Sequence, residues 1–252
     1  SVSDFINFYV LLLAVPIFFI SSNFLFSRKA AEWAMCFKML KRIIRLAVFW
    51  SVLYIMFVNK GWQILSYLPR TSLDLIFFII SGGRTIYWFF VSLVGLTVIT
   101  HFLKSVRTRY IIIGFILTTF LVASLPLLSM TTGKYMLCVH WNPLNFLPYP
   151  FATILVSRLV DLKLNKQTAI YLTIGWFMIC LLTIIIDWKA YIDPGFFEIN
   201  FNLYPIPSYT RSSLIFISMA VLFLSIKIRP KYNVLINFLS HYSLGLYCIH
   251  MF

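Results

Sequence analysis

The sequence predicts an all-α fold: a polytopic membrane helical bundle of about eight transmembrane helices. Three observations carry that expectation. Of the 252 residues, 61% are hydrophobic and 11% charged, against ~45–50% and ~25% in a soluble domain. That balance excludes disorder, a coiled coil and an ordinary soluble enzyme. The apolar residues form continuous runs without the alternation of barrel strands, which selects helices. The charge is lopsided, with 21 Lys and Arg against 7 Asp and Glu and a net charge of +14. In so apolar a chain this implies basic loops between spans, and no nucleic-acid partner.

The first span covers residues 5–26, where Pro16 is expected to kink the helix and Asn23 is able to end it in a left-handed conformation. The second (43–58) starts directly after a basic cluster, and the third (85–103) and fourth (110–130) contain no Asp, Glu, Lys or Arg. In the fifth (143–157), Pro143, Pro148 and Pro150 each lack a backbone donor, so a kinked or broken helix is expected. The sixth (169–186) and seventh (212–226) precede an eighth that runs from residue 233 to 252. The second, fifth and seventh are short for a ~30 Å hydrocarbon layer at ~1.5 Å per residue. Their ends must reach into loops or lie buried in the bundle. Residues 73–80 cannot cross alone and read as interfacial or re-entrant.

The charges test this layout. With the loop after the first span placed inside, alternate loops carry fifteen of the 21 cations, among them Arg28, Lys41, Arg42, Arg45, Arg107, Arg109, Arg158 and Lys227. The outer segments carry the other six, Arg211 among them, and five acids including Asp187. Every inner loop obeys the positive-inside rule. Ser1 then starts outside, which leads one to expect an earlier inside-to-outside helix upstream; the chain also stops as the eighth span nears the far face. Residues 1–252 are read as a single membrane domain, truncated at both ends. Cys36, Cys138, Cys180 and Cys248 have neither CxxC nor zinc spacing, so no metal site is expected. Separate buried thiols are favoured over a Cys138–Cys248 disulfide.

No carboxylate lies within a span as drawn, which weighs against an ion-coupled transporter. His101, His241 and His250 are the ionisable groups left inside. Arg42 and Arg45, three residues apart, share one face at the start of the second span. Two guanidiniums there suit a phosphate-bearing cytosolic ligand, although spacing alone favours lipid anchors. Ser21, Ser22 and Asn23 put polarity where hydrocarbon is expected, a pattern that mostly serves helix packing. His250 belongs near the outer face, with Tyr247 one turn away; an isolated His is more often a packing residue than a base. His140 and the Ser81-Gly82-Gly83-Arg84 turn carry no more than structural expectations.

In order along the chain, these pieces resemble the membrane-bound acyltransferase-3 family of integral-membrane O-acetyltransferases. The family's P-x-F-F-x-x-S-G-x-L stretch is similar to Pro16, Phe18, Phe19, Ser22, Phe24 and Leu25, and its R-x-x-R to Arg42 and Arg45. Its aromatic "WF" segment resembles Tyr87-Trp88-Phe89-Phe90, and its late S-x-G-x-Y-x-x-H resembles Ser243, Gly245, Tyr247 and His250. The resemblance spans nearly the whole chain and lies nearest the bacterial sugar and surface-polymer O-acetyltransferases. It implies a bacterial cytoplasmic-membrane enzyme that moves an acyl group, usually acetyl, from cytosolic acyl-CoA to a carbohydrate or glycolipid hydroxyl. Acyl-CoA is then a co-substrate, with no resident cofactor.

The resemblance implies acyl-CoA contacts at Arg42 and Arg45, a motif turn at Phe18, Phe19, Ser22 and Asn23, and acceptor-side candidates at Tyr87, Trp88, Tyr247 and His250. Two departures stand out. Asn23 replaces the family's Gly, and the first-helix Arg and His, the latter taken as the family's base, match no residue here. Residues 1–252 alone are therefore expected to be inactive. The runner-up from another class is a polytopic transporter or flippase for a lipid-linked sugar, whose basic rim would contact lipid or pyrophosphate.

Overall fold

The computed structural model describes residues 9, 12–29, 33–57, 71–74, 88–133, 139, 142–162, 165–192 and 209–228. Among them the chain is helical and has no strand. The elements are α1 (Ala14–Lys29), α2 (Trp33–Phe57), α3 (Trp88–Leu103), α4 (Thr108–Thr132), a 3-10 turn (Pro143–Phe146), α5 (Pro148–Asp161), α6 (Lys166–Asp187), a π turn (Trp188–Ile192) and α7 (Ser212–Ile228). The predicted eighth span, most of residues 73–80, the turn at residues 81–84, Cys138, Cys248, His140 and His241 lie outside the described residues.

The chain divides into two compact units, Ser1–Ala31 with Leu96–Lys227, and Glu32–Gly95 with Ile228–Phe252. In the first unit, α5 packs on both α4 and α1. Gly114 of α4 makes the close approach to α5 possible, because a Cβ there would sit 2.2 Å from the Phe151 ring. Trp176 of α6 donates to the Phe216 carbonyl of α7 at 3.1 Å and stacks on Phe223. Phe115 of α4 meets Phe216 edge-on.

Side-chain contacts sort the helix ends of this unit. At one end, Arg28 of α1 pairs with Asp161 of α5 at 2.7 Å, and Lys227 of α7 donates to the Val160 carbonyl. Arg158 donates to Thr108 at the start of α4 and to the Lys104 and Val106 carbonyls. Thus α1, α5 and α7 finish where α4 begins. The start of α7 lies instead beside the end of α6, where Asp187 accepts from the Ser213 backbone N–H.

Among the described residues, two helices are long and apolar enough to cross a membrane, Thr108–Thr132 and Gln167–Tyr191, with mean hydropathies of 2.5 and 2.4. α4 has 25 residues, about 37 Å at ~1.5 Å per residue. Both helices turn large apolar side chains outward, including Phe120, Leu117, Phe177 and Leu182. Ala14–Arg28, Trp88–Leu103 and Ser212–Lys227 are shorter apolar helices. Exposed apolar surface so extensive suits lipid, since a soluble protein has no means of covering it.

Local chemistry explains the boundaries and corrects several. Pro16 lies in the first turn of α1, where the N–H it lacks has no intrahelical acceptor to lose. Asn23 does not end α1, which continues through Lys29. α2 begins ten residues before the predicted second span, so Arg42 and Arg45 sit inside the helix and not at its start. The expected break in the fifth span is present. Asn142 caps the 3-10 turn by accepting from Leu144 N–H, and α5 restarts with Pro148 in its first turn. Asn165 caps α6 through Thr168 N–H at 2.7 Å. Gly133, at φ 64°, closes α4 in the left-handed region that an L side chain avoids. Cys36 and Cys180 are buried.

Candidate functional site

The α1 motif folds as one face of a helix. Phe19 and Asn23 are fully buried, while Phe18 and Ser22 are half-buried. Asn23 Nδ2 donates to the Phe19 carbonyl at 2.9 Å, and Thr97 Oγ1 of α3 donates to Asn23 Oδ1 at 3.3 Å. A side-chain amide has both a donor and an acceptor to place, and here both are used. The residue at the family's Gly position therefore links α1 to α3. Phe19 packs edge-on against Phe146 and Tyr149 at the entry to α5, with ring centroids 4.8 and 6.3 Å apart.

Arg42 and Arg45 are exposed on α2, and their three-residue spacing keeps them on one helix face. Trp88 is buried at the start of α3, edge-on to Phe89, which stacks on Phe90 at 4.2 Å. These three residues belong to the second unit. Tyr87, Tyr247 and His250 lie outside the described residues. His101 is half-buried beside Phe26 and Phe102.

A buried polar group that the sequence reading had placed in outer loops occupies one end of the first unit. Asp187, the last residue of α6, and Arg211, the residue before α7, are 3% and 0% exposed. Asp187 therefore lies within the long apolar helix and Arg211 within the core, which corrects the expectation that no carboxylate enters a span. The Asp187 carboxylate accepts from Ser213 N–H at 2.9 Å and from the Ser212 hydroxyl at 3.4 Å. It supplies a negative group to the first turn of α7, where the free N–H groups and the helix dipole favour one.

The Arg211 guanidinium lies 4.9 Å from the centroid of the Tyr9 ring. Tyr9 stacks on Trp188 and donates to the Ile184 carbonyl in the last turn of α6. Burial lowers the pKa of Arg211, and the neighbouring Tyr9 and Asp187 work in the opposite direction. Phe146 lies beside both Tyr149 and Tyr209, with ring centroids 6.1 and 5.5 Å away. The group is thus a charge-compensated polar centre lined by aromatic rings.

No cluster of three or more potential metal ligands occurs among the described residues. An apolar groove of about 310 Å³ between α4, α5, α6 and α7 includes Ile112, Phe115, Leu155 and Phe216, with Thr108 and Arg158 its polar members. Its walls hold no nucleophile or base.

No curated protein and no solved structure matches the chain. A family model described as an acyltransferase domain matches residues 1–252. With a family match over residues 1–252 and, among the described residues, two apolar helices of membrane length, the chain belongs to the acyltransferase-3 family of membrane acyltransferases.

Proposed function

We propose that the chain moves an acyl group, acetyl in the first instance, from cytosolic acyl-CoA to a hydroxyl of a surface carbohydrate or related acceptor. Family membership over residues 1–252 carries the reading. The donor half draws support from Arg42 and Arg45, exposed on one face of α2. Each guanidinium offers a planar fork of donors that matches phosphate oxygens. The fifteen cations assigned to alternate loops support about eight spans in one domain, with the basic loops in the cytosol of a bacterial membrane.

In the transfer, the acceptor hydroxyl oxygen attacks the thioester carbonyl. A C–O bond forms, the C–S bond breaks, and the hydroxyl proton passes to a general base that returns it to the departing thiolate, so that CoA leaves as its thiol. No residue of this chain is given the role of base. Phe18, Phe19, Ser22 and Asn23 hold the packing of α1, and Tyr87, Trp88, Tyr247 and His250 are proposed for the acceptor side. Acyl-CoA acts as co-substrate, and the partners are the bilayer and the glycan.

The test is the double variant Arg42→Ala, Arg45→Ala in the full-length protein, assayed with labelled acetyl-CoA and extracted glycans. Loss of two charge-assisted contacts is expected to raise the KM for acetyl-CoA at least ~10-fold. An unchanged acetyl-CoA affinity would sink the donor assignment.

A further inference from the structure

The groove between α4, α5, α6 and α7 opens on the apolar surface of the first unit. Phe115 and Met219 on its floor are buried, whereas Ile112, Leu162 and Ile179 on its rim are exposed. Along α4 it runs from Thr108 to Phe115, about 10 Å at ~1.5 Å per residue. A second apolar groove, of about 120 Å³, shares Leu159 and Trp176 with the first and continues past Leu172, Phe177 and Phe223.

Each groove carries a cation at the same end of the unit. Arg158 lines the first, and its hydrogen bonds go to the Thr108 hydroxyl and to the Lys104 and Val106 carbonyls, all of them uncharged. The Lys227 amino group lies 5.8 Å from the centroid of the Phe223 ring in the second groove. It donates to the Val160 carbonyl, two residues beyond Arg158. Arg107 and Arg109 flank Thr108 and are exposed. Among the described residues Asp161 is the one acid at this end, and it is paired with Arg28. Excess positive charge therefore stands over two apolar grooves that share a wall.

An amphiphile with two hydrocarbon chains on one anionic head matches this pattern, with a chain for each groove and a phosphate for the cations. A helix from another copy would cover the apolar walls and leave the charge unmatched, and a single-chain thioester would fill one groove alone. Basic pockets between membrane helices take anionic headgroups in the same way. We propose that the paired grooves hold one anionic glycerophospholipid from the leaflet that meets the basic loops. Arg158 and Lys227 hold its phosphate, with Arg107 and Arg109 around the head. Bound there, the lipid bridges four helices of the unit, and its binding is independent of the acyl-transfer reading.

The test titrates the full-length protein, stripped of lipid in detergent, with dioleoyl phosphatidylglycerol or dioleoyl phosphatidylcholine and counts bound lipid by native mass spectrometry. One phosphatidylglycerol is expected per chain, bound at least ~10-fold tighter than phosphatidylcholine. Two variants leave Arg158 and its contacts intact. The triple variant Arg107→Gln, Arg109→Gln, Lys227→Gln should weaken phosphatidylglycerol about 10–100-fold, at roughly fivefold per cation, and change phosphatidylcholine little. Ile179→Trp fills the first groove from its exposed rim and should weaken both lipids about 10-fold, the loss of roughly two buried methylenes.

Equal affinity for the two lipids, or phosphatidylglycerol binding unchanged in either variant, overturns the proposal. A dimer that Ile179→Trp dissociates does so as well, because the occupant is then a second copy of the chain. One-for-one displacement of phosphatidylglycerol by palmitoyl-CoA also overturns it and makes the grooves a donor site.

Discussion

Replacing Asp187 with Ala removes the only carboxylate buried among the described residues. The consequences follow from its contacts. The hydrogen bond from Ser213 N–H, at 2.9 Å, is charge-assisted and contributes about 1.5–3 kcal/mol. The negative charge at the first turn of α7 adds about 0.5–2 kcal/mol in a partly or fully buried setting. Arg211 also loses the charge that compensates it through space, and together these losses are expected to cost about 3–5 kcal/mol. At about 2–4 °C per kcal/mol for a chain of this size, Asp187→Ala should lower the apparent melting temperature by roughly 6–20 °C in fluorescence-detected thermal unfolding. Asp187→Asn, which retains an acceptor oxygen, should fall between. Arg211→Leu should also destabilise, yet the double variant should lose about 1–3 kcal/mol less than the two singles together, because no unmatched charge is left in the core. A melting temperature within 2 °C of wild type for Asp187→Ala, or strict additivity in the double variant, would show that the two charges do not act as a unit.

Two further variants probe the helix packing. Gly114→Ala puts a methyl group into the Phe151 ring and should cost about 1–3 kcal/mol from overpacking, less about 1 kcal/mol of helix propensity regained. Gly175→Ala, with nothing within 4 Å of the added Cβ, keeps the propensity gain alone and should raise the melting temperature by ~2–4 °C; equal shifts for the two would discount the α4–α5 close approach. Asn23→Ala removes the hydrogen bonds to Phe19 and from Thr97 and should destabilise by about 1–2 kcal/mol, read as earlier unfolding by the same assay.

How far the sequence could be read is clearest at the helix ends. The proline cluster before α5 announced a broken helix because a missing N–H is a local fact about the backbone. The start of α2 was misread because Lys38, Lys41 and Arg42 look like a loop, yet all three are exposed on a helix that begins at Trp33. Hydropathy locates where a helix is apolar, and it says little about where the hydrogen-bonded turns begin. Asn23 was misread for a related reason. Its capacity for a left-handed turn is local, while its partner, Thr97, is 74 residues away and belongs to the tertiary fold.

Asp187 and Arg211 were missed as core residues, although the sequence did hold a signal for them. Asp187 follows an apolar run at its C-terminal end, and Arg211 precedes one at its N-terminal end. Each charge opposes the dipole of the helix it adjoins. Such placements are costly at an apolar helix end, so a partner had to be sought, and the nearest unfavourable charge of opposite sign was the other member of the pair. The fold resolves both at once by exchange: Asp187 serves the start of α7, and Arg211 reaches the last turn of α6 through Tyr9. Because the two charges cancel, withdrawing them from the outer segments leaves the balance there almost unchanged. The positive-inside count is therefore insensitive to the error, and the charge asymmetry behind the proposed orientation keeps its force while its least typical members move into the core.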